Sequence, residues 1–137
     1  MKTHKMLIWL ILGLVPLSLS SASATSDDRP KLAALAEARY QSARALFDDG
    51  WLLYGRKGLT DAHVSQLSVR LLTAQLDRSG KKPDRIDAYQ QHLDRMAKLR
   101  AIVNKLRGFG YANTFELKEL DYLIREAEYW REREQTP

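Results

Sequence analysis

The stretch "GFGYANTFELKELDYLIREAEYW", residues 108 to 130, decides the fold. Its first six residues hold Gly108 and Gly110 and no apolar period, so they read as a break. Asn113 follows, with Glu116 three residues later, the pattern of a capping box that opens a helix. From there Leu117, Leu120, Ile124 and Ala127 recur at three- and four-residue steps, as one face of a helix requires. A break this short, between two amphipathic runs, predicts a turn joining two antiparallel helices that pack on each other.

Working upstream, the same punctuation recurs. Residues 84–107 place Ile86, Tyr89, Leu93, Met96, Val103 and Leu106 on one face, flanked by Leu99 and Ile102. "SGKKP" precedes them. Gly80 suits a left-handed helix end there, and Pro83 the first turn of the next helix. Residues 61–79 carry Val64, Leu67, Leu71 and Ala74, with Leu72 and Leu76 widening the stripe and Thr60 as N-cap. Residues 31–54 carry Leu32, Leu35, Ala36, Tyr40, Ala43, Phe47, Gly50 and Tyr54. Gly50 is an internal weak point, worth about 1 kcal/mol against alanine. Residues 114–133 form the last helix, and 135–137 a fraying tail. The expected fold is all-α over residues 31–134, an up-down-up-down four-helix bundle or a pair of long helical hairpins. An internal duplication is suggested by an offset of 53 that pairs Val64 with Leu117, Leu67 with Leu120, Leu71 with Ile124, Ala74 with Ala127 and the caps Thr60 with Asn113.

The first 24 residues have another character. Lys2, His4 and Lys5 precede the apolar run "MLIWLILGLV" (6–15), and Ala22-Ser23-Ala24 offers a small-residue cleavage site. This is the signature of an export signal removed after Ala24, which leaves "TSDDRP" (25–30) as a short linker. The protein is therefore expected in the periplasm or outside a bacterial cell, and at a membrane only if the signal segment is retained. The 137 residues include no cysteine, which excludes disulfides, thiolate metal sites and a cysteine nucleophile. Of 22 Lys and Arg, 20 remain without Lys2 and Lys5, against 17 Asp and Glu, a net +3. Both signs are interleaved, which describes solvated helix faces and not a nucleic-acid surface.

No pattern carries chemistry. His63 and His92 belong to no helical metal motif and read as surface or boundary residues. No nucleophile elbow, phosphate loop or dinucleotide fingerprint occurs. Catalysis, a cofactor and a metal are not expected, and a metal-dependent enzyme assembled from distant residues stands as a remote alternative. The bundle instead brings its first and third breaks to one end, where Trp51, Tyr54, Arg56, Lys57, Lys105, Arg107, Phe109 and Tyr111 collect. Such a set either plugs the bundle and complements helix dipoles, or forms a partner-binding tip, since Trp, Tyr and Arg dominate interface hot spots. The expected partner is a protein of the cell envelope, or a second copy.

Two resemblances bear on this end. "FGYANTFELKELDYLIREAE" (109–128) resembles the hairpin tips of the TolC-type outer-membrane efflux family. Phe109-Gly110-Tyr111 stands at the apolar-Gly-Leu step, with Tyr for Leu, and Glu116-Leu117 at the acidic-aliphatic pair. Gly58-Leu59 forms a second copy. The family's chain is longer and holds barrel strands, so the resemblance implies a lone helical hairpin module whose tip meets an envelope protein. "LTDAHVSQL" (59–67) is similar to the Leu-Thr-x-x-Gln motif of small Spy/CpxP-type periplasmic chaperones, with His63 at the glutamine position. That implies a chaperone or stress sensor holding unfolded clients on a helical surface.

Overall fold

The computed structural model describes residues 28–137. The signal segment and residues 25–27 of the linker lie outside the described residues. Four helices and no strand occur among those described: α1 (Asp28–Gly55), α2 (Asp61–Arg78), α3 (Lys82–Gly108) and α4 (Thr114–Gln135). The fold is all-α, as its periodicity predicts. Two expected boundaries shift. Asp28, Arg29 and Pro30 are the first turn of α1 and not linker, a position where proline's missing N–H costs nothing. Gln135, expected in the tail, is the last residue of α4.

The helices form two hairpins. α1 packs on α2, α3 on α4, and the hairpins meet mainly through α2 and α3, with a slight contact of α2 with α4. The backbones of α1 and α4 do not touch. Phe47, Val64, Leu71, Met96, Leu99, Val103, Leu117 and Leu120 make the core. Met96 and Leu99 are wholly buried, and each such side chain contributes about 1.5–3 kcal/mol.

The two turns are built alike. In the first, the N–H of Gly58 donates to Leu53 O at 2.8 Å and that of Lys57 to Tyr54 O at 3.0 Å. In the second, Tyr111 N–H donates to Leu106 O at 3.0 Å and Gly110 N–H to Arg107 O at 2.9 Å. Each is a Schellman closure, which satisfies carbonyls that a helix end would orphan. The closure needs one left-handed residue, and it falls on Lys57 (φ 61°) and Gly110 (φ 80°). The caps follow. Thr60 Oγ1 accepts from His63 N at 3.3 Å, and Asn113 Oδ1 from Phe115 N and Glu116 N, with Glu116 completing the capping box. Donors, left-handed residues and caps all match at the offset of 53 (58 to 111, 57 to 110, 60 to 113), so the hairpins repeat one unit in geometry as well as in stripe.

Four expectations need correction. Gly80 is not left-handed: α2 ends when Ser79 turns extended, and Ser79 Oγ then accepts from Lys81 N at 3.3 Å and donates to Asp84 at 2.7 Å. Leu32 and Leu35, read as core, are each 57% exposed. α2 has 18 residues against 28 in α1. About 15 Å of α1 therefore overhangs it, beyond the point where the Arg78 guanidinium lies over the Tyr40 ring at 4.0 Å. Gly50 is not a weak point but a close-contact point: a Cβ there would lie 2.3 Å from Leu67 Cδ1. His92, read as surface or boundary, is 2% exposed.

Candidate functional site

The two turns lie at one end of the molecule, and a cleft of about 650 Å³ opens between them. α1 supplies one wall. Its last turns carry an aromatic ladder, with Phe47 and Trp51 centroids 5.9 Å apart and Trp51 and Tyr54 6.0 Å apart. α3 holds this ladder by cations: Arg95 lies 5.4 Å from the Phe47 ring and Lys98 4.8 Å from Trp51. Ile102 and Leu106 of α3 form the facing wall, and Leu59 and Ala112 come from the turns.

Polar groups converge in this apolar cleft. The Tyr54 hydroxyl is shielded from solvent and has no hydrogen-bond partner. Asp61, in the first turn of α2, and Glu116, in the first turn of α4, also line the cleft. Burial raises the Tyr54 pKa, and the charges of Asp61 and Glu116 raise it further. Burial likewise raises the Asp61 pKa. The Glu116 charge adds to that shift, while hydrogen bonds from the backbone at Asp61 and Ala62 oppose it. Two carboxylates and a phenol without a partner thus share one cleft, with Lys57 also on its lining and Glu116 already accepting from Asn113 N, so the Tyr54 hydroxyl and Asp61 are the groups left for a donor from outside.

The tip residues divide. Trp51, Tyr54, Lys57 and Tyr111 line the cleft. Trp51 and Tyr54 are half-buried against the core, whereas Tyr111 is 81% exposed. Arg56, Lys105, Arg107 and Phe109 are exposed and stand outside the cleft lining.

Three features escape a reading of the sequence. Asp61 and Glu116 read as helix-start residues, and nothing in their spacing says that both starts face one cleft. Phe115, Tyr122 and Tyr129 form a row of exposed aromatics on α4 at seven-residue steps, a spacing visible in the sequence once the buried stripe is set aside. The third is a buried network between the hairpins. Arg95 Nε donates to Ser68 Oγ at 2.8 Å, and Ser68 Oγ lies 2.9 Å from His92 Nδ1. Since Ser68 accepts from Arg95, its own proton is free to go to Nδ1 of a neutral imidazole. Burial first, and then the Arg95 charge, lower the His92 pKa to about 4, against a hydrogen bond at Ser68 that raises it. Burial also lowers the Arg95 pKa, to about 10, so the guanidinium stays charged at neutral pH. Ser68 is fully buried and neither it nor His92 lines the tip cleft, so the network joins the hairpins, and Arg95 is its member that reaches the cavities beside Phe47 and Asp48.

Among the described residues no three of His, Asp or Glu gather as a metal site, and no helix is long and apolar enough to cross a membrane. No family model, curated protein or solved structure matches the chain, so the geometry of the cleft carries the functional reading.

Proposed function

We propose that the protein is an exported, non-catalytic helical module that binds a protein partner of the cell envelope through the cleft between its hairpin tips. The observation that carries this reading is the shielded Tyr54 hydroxyl, without a partner, beside Asp61 and Glu116 in an apolar cleft. A lysine or arginine of the partner fits there. Its aliphatic stem would lie on Trp51, Leu59 and Leu106, and its charged head would donate to Tyr54 and Asp61. The exposed Phe109 and Tyr111 supply contact area around the mouth. The resemblance of this tip to TolC-type hairpins supports an envelope partner. The test is a photo-crosslinking residue in place of Tyr111, with capture compared between the parent and the Asp61→Asn and Tyr54→Phe variants. Capture should fall at least ten-fold in both, at an unchanged unfolding midpoint, with the adduct mapping beside a basic residue. Equal capture in the parent and Asp61→Asn would remove the cleft from the binding surface.

A second reading, a Spy/CpxP-like client-holding chaperone, is supported by the row Phe115, Tyr122 and Tyr129, since its apolar surface runs along a helix and is not confined to the tip. Suppression of a model client's aggregation that is lost in Tyr122→Ser and kept in Asp61→Asn would favour it over the cleft.

A further inference from the structure

We propose that two copies of the chain pair through α1, antiparallel, along the seam Leu35, Arg39, Ser42, Leu46, Asp49 and Leu53. The inference is independent of the tip cleft.

The seam is defined by the repeat. Its spacing of four, three, four, three and four residues is that of a helix-pairing stripe. All six residues are exposed, Leu35, Leu46 and Leu53 by 57%, 48% and 47%. At the offset of 53 the same six positions of α3 are Ala88, His92, Arg95, Leu99, Ile102 and Leu106. There none is exposed, and Ala88, His92 and Leu99 are buried to 2% or less. α2 covers that seam, through Ser68 on His92 and Arg95 and through Gln75 on Arg95. Within one chain, then, the second hairpin has its seam covered by the first, and the first has the equivalent seam uncovered.

The chain's opposite flank is not what covers it. The α2 residues that hydrogen-bond α3 are Ser68 and Gln75, and their equivalents on α4 are Asp121 and Glu128, with Lys118 and Arg125 on the same face. Arg100 and Asp121 form an ion pair across that outer flank. A charged flank ends a stack of repeats, as terminal capping units do. Head-to-tail growth is therefore closed, and the surface complementary to the α1 seam is the seam itself.

Its own sequence sets the direction. In an antiparallel pair with the dyad at the level of residue 44, Leu35 faces the partner's Leu53, Ser42 its Leu46 and Arg39 its Asp49, each twice by symmetry. Arg39, already paired with Asp77 in its own chain, would sit between two carboxylates. A parallel pair would instead oppose Arg39 to Arg39 and Asp49 to Asp49, a repulsion that selects against it. The neighbouring residues Ala38 and Ala45 are small and let the helices approach closely. The seam spans 19 residues, about 27 Å from end to end, a narrow strip that belongs with weak interfaces.

The experiment is sedimentation equilibrium of the purified chain, its N-terminus established by mass spectrometry, from about 1 to 500 µM, a range that brackets micromolar affinity. The wild type should dimerise. Leu46→Lys should weaken the dimer at least ten-fold while keeping the helical signal and unfolding midpoint, because Leu46 touches solvent in the single chain. The chain has no cysteine, so single-cysteine spin labels report the register. Labels at Ala45 should lie about 10 Å apart in the dimer, and labels at Arg56, 12 residues from the dyad, about 37 Å apart. A wild type that stays monomeric throughout, a dimer indifferent to Leu46→Lys, or equal separations at the two positions would each overturn the proposal.

Discussion

Lowering the pH should loosen the joint between the hairpins, and His92 sets the size of the effect. The imidazole is 2% exposed and lies in a network where Arg95 already donates to Ser68. Protonating it would place a second positive charge beside Arg95, with two donors competing for the Ser68 hydroxyl. Its pKa accordingly falls from 6.5 to about 4. The sign follows from linkage. Between those values the unfolded chain binds a proton that the folded chain does not, so stability drops as pH falls. The loss begins below the unfolded pKa of 6.5 and is complete below the folded value. At about 1.4 kcal/mol per unit, the drop from pH 7.5 to 4 amounts to about 3 kcal/mol. With an m-value near 1.5 kcal/mol/M, the urea midpoint would move by about 2 M.

Other groups titrate in the same range. The carboxyls of Asp121 and Glu134 are held low by hydrogen bonds to Arg100 and Arg85, and lose stabilisation in acid too. Asp61, with its raised pKa, acts in the opposite sense. The decisive quantity is therefore the difference between wild type and His92→Gln. Glutamine keeps an acceptor for Ser68 and cannot take up the proton, so its profile should be flatter by about 3 kcal/mol over this window. Parallel profiles from pH 7.5 to 4 would refute the account of a buried neutral imidazole.

Three further outcomes are expected from chemical unfolding. Lys57→Gly should stabilise by about 1 kcal/mol, because Lys57 holds a left-handed backbone that glycine adopts freely; Gly110→Ala should cost about as much, and a destabilised Lys57→Gly would contradict the turn. Thr60→Ala and Asn113→Ala should each lose about 1 kcal/mol as N-caps, with Asn113 the costlier since it anchors a full capping box; an unmoved midpoint in either would displace that helix start. Gly50→Ala should gain nothing, although alanine favours a helix by about 1 kcal/mol, since its methyl group would displace Leu67; a full gain would show that α1 and α2 are not in close contact there.

The sequence by itself determined the elements. Stripes at three- and four-residue steps, the caps Thr60 and Asn113 and the two glycine-bearing turns are local, because a helix and its ends are made by residues at most a few positions apart. The offset of 53 was legible for the same reason: it compares one local pattern with another. The tertiary structure alone decided what lies opposite each stripe. Leu32 and Leu35 continue the apolar period of α1 but face solvent, since α2 is too short to reach them. His92 stands beside the core position Leu93, yet it is buried because α2 of the other hairpin lies over it. Asp61 and Glu116 open two different helices, and they share one cleft only because both hairpins point their turns the same way. The seam on α1 and its copy on α3 differ in the same manner. Their spacing is identical, but one meets a neighbouring helix and the other meets water, and periodicity names a face without naming its neighbour.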